Sequence, residues 1–210
     1  MQKLALLIAV AIASTGLAAT SNAAGWAITA DTPLSYTFDK KQASDPIPPN
    51  NGFAEFSDTT ASNVSGSKVM IIAPFHVGVG YEDYSVKQKL NIPPCGFCSQ
   101  GNLRLGIRMT DVMIDIPGRF VNLGLGYGTG TADVEINLPA ALGIVAPAAH
   151  NVSAEQTFIV LGIPLGQRFD LHVGYHVVTV DRKIVKDSNG NLSHLQESGS
   201  MLSAGARLNF

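Results

Sequence analysis

The last twelve residues, Gly199–Phe210 (GSMLSAGARLNF), alternate with period two. Leu202, Ala204, Ala206 and Leu208 share one parity, and Ser203, Gly205, Arg207 and Asn209 share the other. Successive side chains of a strand point to opposite faces, so this segment has one apolar face and one wet face, and it ends in an aromatic residue. The wet parity constrains the fold most. Charges interleaved with glycine cannot make a dry core. They can make a hydrogen-bonded polar interior, provided the apolar parity faces something other than water.

Four other segments carry the same pattern. In Phe169–Arg182, the apolar set Phe169, Leu171, Val173, Tyr175 and Val177 opposes Asp170, His172, Gly174 and His176. In His76–Tyr84, Val77, Val79 and Tyr81 oppose His76, Gly78, Gly80 and Glu82. In Val121–Gly128, Val121, Leu123, Leu125 and Tyr127 alternate with Asn122 and three glycines. In Asn102–Thr110, Leu103, Leu105, Ile107 and Met109 oppose Arg104, Gly106 and Arg108. The apolar phase slips near Thr110 and Asp111, since Val112, Ile114 and Ile116 carry it on, which predicts a bulge. Weaker strands are predicted over Trp26–Phe38, Lys68–Ala73 and Gln156–Pro164.

Short and long connections alternate along the chain. Tight turns fall at Ala73–Phe75, Pro117–Arg119 and Leu165–Gln167, and longer loops at about 39–67, 88–101, 137–155 and 186–198. A sandwich does not require every second connection to be tight, whereas a membrane barrel has short turns at one end and long loops at the other. The expected fold is all-β: an eight-stranded antiparallel up-and-down transmembrane β-barrel over 24–210. Eight strands enclose an interior just wide enough for side chains, so glycines at alternate inward positions leave room for the larger polar ones. The inward set is then Glu82, Arg104, Arg108, Asp170, His172, His176 and Arg207, with His76 as a further member. Val79, Tyr81, Leu105, Leu123, Val173 and Leu208 face lipid.

Composition agrees. Charged residues make up 14 % and glycines number 21 in 210, against roughly 25 % charged and 7 % glycine in average domains. The pI near 6.2 announces no nucleic-acid partner. Residues 1–23 read as a cleaved export signal: Lys3, an apolar core over Leu4–Ala13, and small Ser21 and Ala23 before the cut. Removing them leaves 13 basic against 16 acidic residues, a net charge of −3, since Lys3 is their one charged residue.

The signal, the eight alternating segments and the ending Ala206-Arg207-Leu208-Asn209-Phe210 resemble the small eight-stranded outer-membrane proteins of Gram-negative bacteria. The resemblance covers 24–210 and implies residence in the cell outer membrane. Phe210, with its alternating neighbours, resembles the signal read by the barrel-assembly machinery, so that machinery and outer-membrane lipid are the implied partners.

Few residues suggest chemistry. His172 and His176 would form a metal pair on a helix, but on a strand they stand about 13 Å apart. Charges in a narrow lumen need partners, so these residues are read as one polar network. Cys95 and Cys98 have redox-motif spacing without a helix to activate a thiol, and a local disulfide shaping the loop is expected after export. Ser193-His194 with Glu197 suggests acyl transfer, but the chain lacks the His-x-Ser strand motif of outer-membrane lipid A deacylases. No cofactor or metal is expected. The expected role is non-enzymatic, in envelope structure or surface interaction. The alternative is a narrow porin or hydrophobic-solute transporter, for which the apolar stretch within 137–155 is the motive. A surface ligand or a hydrophobic solute would meet the outer loops. A lipid-modifying enzyme is third.

Overall fold

The computed structural model describes residues 25–39, 45–46, 55–56, 58–91, 101–137, 148–166, 168–181, 183–186, 192–195 and 198–210. Eight long strands make the wall: β1 Ala27–Phe38, β2 Asn63–Ile72, β3 Val77–Asn91, β4 Gly101–Ile116, β5 Asn122–Asn137, β6 Ala148–Pro164, β7 Phe169–Val180 and β8 Gly199–Asn209. Each pairs antiparallel with the next, and β8 returns to β1, from Ala27↔Asn209 to Phe38↔Gly199. The sheet is therefore closed and leaves no free edge in lipid. Short strands Lys183–Lys186, Leu192–Leu195 and Asp45–Pro46 form a separate three-stranded sheet among the long connections. The export signal, both cysteines and residues 138–147 lie outside the described residues.

Both strand termini and the three tight turns share one end, the periplasmic end of such a barrel. Trp26, Phe75, Phe120, Phe169 and Phe210 are exposed there as an aromatic rim. Above them an apolar band faces outward: Ile28, Val69, Ile71, Val79, Leu161, Ile163, Leu171, Val173, Leu202 and Leu208 all stand at least 42 % exposed. Tyr81 and Tyr175 end it toward the outer side. An apolar band between aromatic girdles is the lipid-facing surface of a membrane barrel.

The barrel changes character beyond that band. Leu103, Leu105, Ile107 and Met109 of β4 are buried in the interior, while Arg104 and Arg108 point outward. The expected lumenal placement of these two arginines, and the lipid-facing placement of Leu105, are corrected here. No bulge exists at Thr110 or Asp111, because β4 pairs without interruption with β3 from Gly101 to Ile114 and with β5 from Asn102 to Ile116. The strand keeps its phase and its surroundings change. Its inner end stands in lipid, so apolar residues point out. Its outer end stands in water, so apolar residues point in.

Other strands make the same exchange. On β3, outward Val79 and Tyr81 give way to inward Tyr84, Val86 and Leu90. On β5, outward Leu123, Leu125 and Tyr127 give way to inward Ala132, Val134 and Ile136. On β7, Tyr175 and Val177 face out, and Val178 and Val180 face in. The inward residues of the outer half join Tyr36, Phe38 and Met201 in one apolar core. That half is built like a soluble barrel standing on the membrane.

Register breaks lie elsewhere. One falls between Pro33 and Ser35 of β1. Another falls where Ala132 pairs with Val152 but Val134 with Ala149. Two residues of β6 oppose one of β5 there, and Asn151 takes a left-handed φ of 53° that asparagine tolerates. Asp133 Oδ1 accepts from the Asn151 N–H at 2.9 Å and holds the bulge.

Candidate functional site: a crossed polar lumen

Within the membrane-embedded half, the interior is polar except for a small apolar cluster of Ala27, Met70, Ile72, Met113 and Phe158. Asp31, Lys68, Glu82, Asp111, Asp115, Asp170, His172, His176, Gln156 and Ser203 are all buried there. Arg207 joins them from β8 with its side chain 13 % exposed. Of the residues singled out by sequence, Glu82, Asp170, His172, His176 and Arg207 meet in this layer, and Arg104 and Arg108 do not. Sequence reasoning passed over Asp31, Lys68, Asp111, Asp115 and Gln156. Asp115 alternates with Val112, Ile114 and Ile116 and so already shares the wet parity in the sequence, whereas Asp111 stood within the supposed bulge. Lys68 and Gln156 lie in strands whose alternation is weak.

Two contacts span the full width of the ring. Arg207 on β8 reaches Asp115 on β4, four strands away, with Nη1 2.8 Å from Oδ2. Lys68 on β2 lies over the ring of Phe158 on β6, also four strands away, 3.4 Å from its centroid. Shorter links fill the space between. Lys68 Nζ stands 2.8 Å from Asp111 Oδ2 and 3.6 Å from Glu82 Oε2. Gln156 Nε2 donates to Asp111 Oδ1 at 2.8 Å. His172 Nε2 lies 2.6 Å from Asp31 Oδ1. Asn122 Nδ2 donates to Asp170 Oδ2 at 2.9 Å, and Arg207 Nε lies 3.7 Å from the same oxygen. His76, in the β2–β3 turn, has Nδ1 3.5 Å from Asp115 Oδ2.

The inward glycines make these crossings fit. A Cβ on Gly126 would strike the Phe158 ring, and one on Gly128 would strike Asp111 and Gln156. A Cβ on Gly205 would crowd both Asp31 Oδ1 and His172 Nε2 at 2.7 Å. Small cavities remain in this layer. One of about 30 Å3 lies toward the periplasmic end, beside Asp115, Asp170 and Arg207. Another, of about 10 Å3, lies between Pro33, Lys68, Glu82 and Ser203.

One linkage has the form of an activated nucleophile. Ser203 Oγ lies 3.1 Å from His176 Nε2, and His176 Nδ1 lies 3.0 Å from Gln156 Oε1. Ser203 is 2 % and His176 1 % exposed, and the adjoining 10 Å3 has room for about one water and none for an acyl group. The linkage serves as part of the hydrogen-bonded fill. The described residues contain no cluster of three or more His, Cys, Asp and Glu side chains arranged to hold a metal ion. Ser193 and His194 lie in the small outer sheet, apart from this layer.

No known protein family and no curated protein matches the sequence. Solved structures match the fold. Neisserial surface protein A is 14 % identical, with 91 % of this chain and 100 % of that one covered and a TM-score of 0.44. The outer membrane protease OmpT from Escherichia coli is 10 % identical over 89 % of this chain and 94 % of that one, with a TM-score of 0.52. E. coli outer membrane protein W is 11 % identical over 91 % of this chain and 100 % of that one, with a TM-score of 0.49. The fold, with its lipid-facing band, is that of the small β-barrels of the Gram-negative outer membrane.

Proposed function

We propose that this protein is a closed, non-enzymatic barrel that anchors its outer half and long connections at the cell surface, in an envelope-structural or surface-interaction role. The filled lumen carries this reading. An apolar core closes the outer half, and a charged layer with two full-width crossings closes the membrane-embedded half. A narrow pore needs a continuous water path, whereas the cavities described in the charged layer measure about 30 and 10 Å3, and the side chains of Asp31 and Lys68 line both. The buried Ser203 and His176 argue against acyl-transfer chemistry for the same reason of access. In this reading the barrel-assembly machinery takes Phe210, which is 63 % exposed at the periplasmic rim, with its N–H bonded to Trp26 O at 2.9 Å. Outer-membrane lipid is the constant partner.

Swelling of proteoliposomes in a small sugar tests the reading. The expected rate equals that of empty vesicles. A rate rising with the amount of folded barrel overturns closure and restores the transport alternative.

A further inference from the structure

The outer wall of β3 and β4, above the lipid band, carries two like charges side by side. Lys87 pairs in register with Arg104, and both point outward. Like charges directly opposite one another on neighbouring strands repel. Among the described residues, no carboxylate lies within ion-pair distance of either. Glu135 is the next residue across from Arg104 in the same row, yet it makes no ion pair with it. Arg108, two residues along, has its own partner: its Nη2 is 2.7 Å from Asp133 Oδ2.

The surroundings form a recess. A groove of about 610 Å3 is lined by Ser62, Lys87, Lys89, Asn102, Arg104 and Glu135 among others, so a third cation, amide and hydroxyl groups and one carboxylate flank the Lys87–Arg104 pair. One row below, Ser85 pairs with Gly106. Nothing lies within 4 Å of where a Cβ on Gly106 would stand, so bare backbone makes a dent between Arg104 and Arg108. Ser85 Oγ, beside that dent, is buried without a hydrogen-bond partner.

Height selects the occupant. The apolar band ends at Tyr81 on β3, and Lys87 follows six residues later. At ~3.3 Å per residue and a tilt near 40°, Lys87 stands about 15 Å above the band. Phosphates at the lipid interface lie below that level, whereas the sugars of an outer-leaflet glycolipid reach it. We propose that Lys87 and Arg104, with the Ser85–Gly106 dent beneath them, bind a phosphate- or carboxylate-bearing sugar in the core saccharide of the surrounding outer-leaflet glycolipid. The anion sits between the two cations, relieves their repulsion and draws charge-assisted hydrogen bonds from both. This inference rests on the outer-membrane placement of the barrel and is independent of whether the lumen conducts.

Native mass spectrometry of the full folded barrel in neutral detergent tests it. Three probes are compared: a rough lipopolysaccharide with a phosphorylated core, lipid A lacking the core, and inorganic phosphate. Binding of the core-bearing probe falls at least tenfold in Lys87→Gln/Arg104→Gln, while binding of lipid A is unchanged. Glu135→Gln removes the neighbouring carboxylate that repels a bound anion and tightens the core-bearing probe. Heat-modifiable gel mobility reports folding of each variant. Equal binding of the core-bearing probe by wild type and the double variant overturns the proposal, as does an equal loss of lipid A. Inorganic phosphate binding as tightly as the core-bearing probe also overturns it. If the double variant does not fold, Glu135→Gln decides: unchanged affinity contradicts the site.

Discussion

Arg207 and Asp115 meet at 2.8 Å across the whole width of the barrel, from strands that share no backbone hydrogen bond. The pair fixes opposite walls at one separation. The same guanidinium serves Asp170, and Asp115 also faces His76. Removing Arg207 therefore strands two carboxylates in a narrow interior. An uncompensated buried charge costs about 3–5 kcal/mol. Arg207→Ala is expected to lose that much in reversible urea unfolding from lipid vesicles. Arg207→Ala with Asp115→Asn and Asp170→Asn is expected to recover part of it. A single variant as stable as wild type would show that the crossing does not brace the barrel.

Neighbours on β4 distinguish the interior of the outer half from its surface. Leu105 is fully buried in the outer apolar core and Arg104 is exposed. Leu105→Ala is expected to cost about 2–5 kcal/mol through lost burial and the cavity left behind. Arg104→Ala is expected to stay within about 0.5 kcal/mol. The reverse order would put Arg104 in the lumen and Leu105 against lipid.

In the membrane-embedded half the polarity reverses. Leu123 faces outward in the apolar band, directly opposite Leu161. Leu123→Arg, low in the band near the periplasmic rim, is expected to cost about 1–2 kcal/mol, below the midplane value. Unchanged stability in vesicles would place Leu123 outside the hydrocarbon.

Much of this architecture is legible in the sequence. Period-two segments, alternating turn lengths and the terminal Phe210 are local patterns, and backbone geometry turns them directly into strands and a closed wall. The phase of the outer half is harder to read. Alternation says which residues share a face, and only the surrounding medium says which face is inside. Leu103–Met109 against Val112–Ile116 looks like a slipped strand when taken alone. The pattern is distinctive because Tyr81 to Tyr84, Tyr127 to Ala132 and Val177 to Val178 change parity as well. A change repeated in four strands marks a boundary between lipid and water, whereas a bulge belongs to one strand. The pairing of lumenal charges is not legible, because Arg207 and Asp115 are joined only by closure of the ring.

Glycine at 126 is required by packing. A Cβ there would enter the Phe158 ring, which in turn lies under Lys68. Gly126→Val is expected to yield no heat-modifiable folded band. Adding Phe158→Ala is expected to restore some of it, at reduced stability. Folding of Gly126→Val alone at wild-type yield would contradict the packing of this layer.

Ser203 and His176 give a chemical test of access. A fluorophosphonate probe is expected to leave Ser203 unlabelled in the folded barrel over hours. Lipid A taken from cells with and without the protein is expected to give the same mass spectrum. Labelling of Ser203 that is abolished by His176→Ala would establish a reachable nucleophile and reopen the enzymatic reading.

Single-channel recording of the purified full chain in a planar bilayer bears most directly on the closed lumen. The filled interior predicts a flat trace at insertion levels confirmed by heat-modifiable mobility. Reproducible conductance steps from the wild-type protein would contradict it, because ions cannot pass while Arg207–Asp115 and Lys68–Phe158 cross the barrel.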